Sequence, residues 1–169
     1  MRKALIAAAA AIACGTAVAQ APNPMDNVPD KMPFDIPYGP PVTLERAQAA
    51  LAAAVAESKK RDWKMNIAVV DSGGNLVAFE RMDGAQIASV RIAEHKAQAA
   101  AMFRRETKAF EAGIQNGFNY LITLDGVIGS RGGILLMDGG KLIGAVGCSG
   151  GTGSQDEVIC KAAAAAVNR

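Results

Sequence analysis

Aromatic side chains make up only 5% of this 169-residue chain: five Phe, two Tyr and the lone Trp63. A core must therefore be built from Ala, Val, Ile and Leu, which suits closely packed helices on a small sheet. Histidine occurs once, as His95, and that excludes the Cys/His spacing of a zinc site. Cysteine is limited to Cys14, Cys148 and Cys160, too few for a disulfide-dense mini-protein. Proline is absent outside Pro22 to Pro41, so the rest of the chain is free of that helix breaker. A hydrophobic share of 50% excludes a disordered or collagen-like chain. The length suits one domain that buries roughly two-thirds of its unfolded surface.

What is present begins with a leader. Residues 1–19 read as a secretory signal peptide: Arg2 and Lys3, an apolar Ala4 to Ala13, then Ala17-Val18-Ala19 before Gln20. The apolar stretch is too short to span a bilayer. Cys14 follows Ala11-Ile12-Ala13, but without the Leu usual at position −3 of a lipidation site. Of 18 basic residues, Arg2 and Lys3 leave with the leader, so 16 face 16 acidic ones. A neutral mature chain carries no electrostatic case for nucleic acid or an anionic membrane surface. Export places it in the periplasm or outside the cell. Cys148 and Cys160 remain there, either as a disulfide or as two buried thiols.

Residues 20–42 form a proline-rich extended arm, either a tether or a strap along a neighbouring subunit. The domain at 43–169 is patterned throughout. Thr43 caps an Ala-rich helix over 44–61. Strands at 65–71 and 76–81 form a hairpin around Ser72-Gly73-Gly74-Asn75. Helices follow at 87–104 and 107–116. A second hairpin, 133–137 with 142–148, turns at Asp138-Gly139-Gly140. Ser154 and Glu157 form an S-x-x-E capping box for a last helix. Hairpins mean antiparallel pairing, so the class is α+β, an antiparallel sheet with helices packed on it.

On the 87–104 helix, Lys96 falls in the middle of the apolar face and His95 on its flank beside Met102. A lysine there either makes a structural bond or holds an anionic ligand group. Asp71 and Asp125 are candidate partners. His95 is either structural or the one imidazole able to ligate iron or move a proton. Gly147-Cys148-Ser149-Gly150-Gly151 fits G-x-S-x-G by letter, but no His follows Ser149, so a hydrolase is rejected. This turn either cradles an anion with its N–H groups or allows close packing. Arg131, before Gly132-Gly133, either pairs with a carboxylate or is solvated.

Three ordered blocks carry a resemblance. Asn66-Ile67-Ala68-Val69-Val70-Asp71-Ser72-Gly73-Gly74-Asn75-Leu76 is similar to the opening hairpin of the GlcG/HbpS (DUF336) family. Met82-Asp83-Gly84-Ala85, then Ser89, Ala93, Lys96-Ala97, Ala99 and Phe103, resembles its following helix. Asp138-Gly139-Gly140, Gly144-Ala145-Val146-Gly147, Ser149-Gly150-Gly151 and Asp156-Glu157 resemble its ending. The likeness spans about 43–167. It implies a profilin-like fold, homo-oligomers from dimer to octamer, and haem as ligand. On that implication the pocket lies between the Lys96 helix and Gly132–Gly133. Met102 and Phe103 face the macrocycle, Lys96 or Arg131 meets a propionate, and His95 is the axial candidate. Two other readings stay open: a small-molecule enzyme using Lys96 and His95, and a partner subunit of a periplasmic dehydrogenase or sensor.

Overall fold

The computed structural model describes residues 26–169. The expected signal peptide, Cys14 and the first residues of the arm lie outside the described residues. The chain divides into two compact units, Met1–Asp30 and Lys31–Arg169, and the second carries everything that follows.

Helix α1 (Leu44–Arg61) starts where the Thr43 hydroxyl accepts from the Arg46 N–H at 3.3 Å. Its buried Ala47, Ala50, Leu51, Ala54 and Ser58 recur at helical spacing and form one stripe. Strands β1 (Asn66–Asp71) and β2 (Leu76–Arg81) make the first hairpin, and β3 (Gly133–Asp138) and β4 (Lys141–Ser149) the second. Between them run α2 (Ser89–Phe103), α3 (Lys108–Gln115) and a 3-10 turn at Asn119–Thr123 that the sequence pattern did not predict. Helix α4 (Gly153–Ala165) closes the chain. Its capping box is Thr152 with Gln155, two residues before the expected Ser154 and Glu157. Glu157 is instead turned inward to meet three cations.

The sheet has four strands in the order β2-β1-β4-β3, all antiparallel. β4 is central and buried from Leu142 to Ser149, because both sheet faces are covered. One face, with Ile67, Val69, Val146 and Cys148, packs against α1 and α4. The other, with Ala68, Val70 and Ala145, receives Ala93, Ala97, Ala100 and Ala101 of α2. Alanine lets α2 lie close to the strands, and glycine lets it lie closer. A Cβ on Gly133 would strike the Lys96 carbonyl, and one on Gly147 the Ala93 carbonyl. The sulfurs of Cys148 and Cys160 are bonded, joining β4 to α4.

The end of the arm lies on its own domain. β1 stops pairing with β4 at Asp71↔Gly144, which leaves the next stretch of β4 open on that side. Residues 37–42 fill it: the Leu142 N–H donates to the Pro37 carbonyl at 2.9 Å, and the Gly39 N–H to the Leu142 carbonyl at 2.7 Å.

Candidate functional site

Lys96 is 1% exposed. Its Nζ donates to Asp156 Oδ2 at 2.7 Å and to the Cys148 carbonyl at 3.3 Å. The other Asp156 oxygen accepts from the Gly150 and Gly151 N–H groups at 3.1 Å each. The glycine turn therefore does cradle an anion, and the anion is a carboxylate of this chain. Burial pushes the Asp156 carboxyl up from its ordinary range, against the Lys96 ammonium and the two N–H donors. The expected partners do other work. Asp71 Oδ1 accepts from Gly73 and Asn75 N–H within its own hairpin, and Asp125 is exposed. This closed pair leaves Lys96 no free ammonium for a propionate or for carbonyl chemistry. Ser149 is buried with its hydroxyl on Ser89 Oγ at 3.0 Å, which is no nucleophile elbow.

The space expected between α2 and Gly132–Gly133 is filled, because the helix backbone rests on Gly133. Gly132, at φ +114°, sits against Asp156 and the Cys148 carbonyl, where a side chain has no room. Arg131 pairs with Glu111, its Nε 2.8 Å from Oε1, and reaches Glu157 at 3.4 Å. Glu157 also takes Lys108 and Lys161. The Arg131 guanidinium bonded to Glu111 holds that carboxyl below its usual range.

The remaining expected residues are dispersed. His95 is half-buried, with Nε2 3.2 Å from the Gly126 carbonyl, to which it donates, since a carbonyl oxygen only accepts. Phe103 packs edge-on against Phe110 at 5.2 Å. Met102 is exposed beside Gly74 and Tyr38, and the Tyr38 hydroxyl donates to its carbonyl at 3.0 Å.

A different place gathers an apolar cleft. Phe110 of α3, Phe118, Tyr120 and Leu121 of the following turn, Phe34 of the arm and Arg105 after α2 line one concavity. Half of the chain's aromatic residues thus meet there. The Arg105 guanidinium stands 3.4 Å over the Phe34 ring and 5.3 Å from the Phe110 ring centre. Its Nε donates to the Phe103 carbonyl at 3.2 Å, and among the described residues it has no carboxylate partner. Burial among the rings pulls its pKa down, though an arginine stays charged at neutral pH. Sequence reasoning passed over this cleft. The available signal was the crowding of Phe103, Phe110, Phe118 and Tyr120 around and after Arg104-Arg105 in a chain otherwise poor in rings.

An antiparallel sheet covered by paired helices on one face and an alanine helix on the other defines a three-layer α+β protein. The chain belongs to the HbpS-like family: its residues 42–165 match the family described as "Haem degrading protein HbpS-like". Protein GlcG of Escherichia coli K12 is 42% identical over 108 residues, covering 64% of this chain and 81% of GlcG. The crystal structure of a double mutant of Streptomyces reticuli HbpS superposes with a TM-score of 0.72 at 28% identity. It covers 89% of this chain and 99% of HbpS. The crystal structure of a PduOC:haem complex does so with a TM-score of 0.69 at 27% identity, over 76% of this chain and 96% of that one.

Proposed function

We propose that this protein is an exported haem-binding protein, with the aromatic cleft as the seat of the macrocycle. The observation that carries the reading is the cleft itself: Phe34, Phe118 and Tyr120 around the buried Phe110, beside a guanidinium with no carboxylate partner among the described residues. A haem has that shape in reverse, a flat apolar body with carboxylates along one edge. Apolar burial supplies affinity and the guanidinium fixes orientation. The haem complex of one relative and the family description support the same ligand. A bound haem would supply a redox-active iron. His95 is not among the residues lining this cleft, and its Nε2 is held by the Gly126 carbonyl, so the ligand role expected of it is not carried into this reading. The Cys148–Cys160 bond supports an oxidising compartment. The homo-oligomer expected from the sequence is part of this reading, and light scattering will count its subunits.

Haemin titration of the purified protein tests the reading. A saturable Soret shift in the low micromolar range is expected, and it should persist in His95→Ala. Absence of any saturable shift overturns haem binding.

A further inference from the structure

The aromatic cleft is partly filled by the chain itself, and the way it is filled points to the ligand group it selects. Phe34 lies at φ +67°, the left-handed region that a bulky side chain rarely adopts for steric reasons. Its ring covers the Arg105 guanidinium at 3.4 Å, so stacking on a cation offsets the backbone cost. Yet the guanidinium has five N–H donors, and only its Nε has an acceptor among the described residues, the Phe103 carbonyl. Elsewhere in the fold, partly buried arginines are given oxygens. Arg46 holds Asp138 and the Val167 carbonyl, both at 2.7 Å, and Arg131 holds Glu111 and Glu157. Arg105 is left with ring faces.

We propose that Arg105 is the carboxylate anchor of this cleft and that Phe34 is its internal occupant, displaced when a planar carboxylate ligand binds. The inference rests on the haem reading for the cleft and adds the anchoring group and the competitor. A carboxylate forms two parallel charge-assisted bonds with a guanidinium, which a neutral ring cannot match. Phe34 is free to leave, being 39% exposed. The chain just beyond it stays fixed, because Arg104 donates to the Ile36 carbonyl at 3.0 Å and Leu142 to that of Pro37 at 2.9 Å. The rearrangement is therefore confined to a few residues around Phe34, and leaving relieves its backbone.

Binding of iron-free protoporphyrin IX and of its dimethyl ester, read by porphyrin fluorescence, tests this without any iron ligand. The free acid should bind Phe34→Ala and Phe34→Gly about five- to tenfold more tightly than the parent protein, since no ring must be displaced. Arg105→Gln should weaken the acid about tenfold and leave the ester unchanged, with Arg105→Lys intermediate. Circular dichroism confirms that each variant is folded. Equal losses for acid and ester in Arg105→Gln, or no gain in both Phe34 variants, overturn the proposal. The two failures are separable. Haemin binding that neither position affects removes this inference and leaves the haem reading. Arg105-dependent porphyrin binding with no Soret shift on haemin does the reverse.

Discussion

Lys96 and Asp156, 60 residues apart in sequence, meet at 2.7 Å with both side chains almost wholly buried. The pair ties α2 to α4 through the end of β4. Each charge is answered by the other and by backbone groups, which is the condition for ions to sit in a core. Removing one partner strands the other. Lys96→Met or Asp156→Asn should each cost about 3–5 kcal/mol in urea denaturation. Replacing both by apolar residues should recover part of that loss. The Gly150 and Gly151 N–H groups would still lack an acceptor, at about 1–3 kcal/mol. A double variant no better than the singles would contradict this account.

Gly147 sits beneath the backbone of α2, whereas Gly140 has open space around it at φ +75°. Gly147→Ala should destabilise by at least about 3 kcal/mol, because a helix must move. Gly140→Ala should cost only about 1–2 kcal/mol, the left-handed backbone penalty. Similar midpoints for the two variants would refute the close-packing explanation.

The Cys148–Cys160 bond closes a short loop, with a sequence separation of 12. Reductant should lower stability by about 2–3 kcal/mol. A Cys148→Ala, Cys160→Ala protein should melt at the same temperature with or without reductant.

Acid should weaken the loop around Arg131. Glu111 has its folded pKa lowered by the Arg131 bond. Its contribution is therefore present above the ordinary carboxylate range and is lost as pH falls through that range toward the folded value. Melting temperatures between about pH 5 and pH 3 should fall less steeply in Glu111→Gln than in the parent protein. An unchanged slope would mean that the pair does not contribute.

Much of the fold was legible because its signals are local. The bounds of α1, printed by the Thr43 cap and the alanine stripe, match the expected 44–61. Both hairpins fall where their glycine turns place them. The α4 cap was misplaced by two residues because Thr152 and Gln155 carry the same pattern as Ser154 and Glu157. Only packing decided that Glu157 turns toward Lys108, Arg131 and Lys161.

The site was less legible. That Lys96 lies on a buried face follows from helical periodicity, which is a property of one segment. That its partner is Asp156 does not, since any acidic residue brought near by the fold would serve. The aromatic cleft is of the same kind. Phe34, Arg105, Phe110 and Tyr120 come from the arm, the end of α2, α3 and the 3-10 turn, with no shared spacing to mark them. The sequence alone determined the elements, the glycines that admit a close helix, and the family blocks, because turn chemistry and side-chain period act over a few residues. Which charges meet and which rings gather was decided by tertiary structure, because ion pairing and concavity depend on distances that only the folded chain sets.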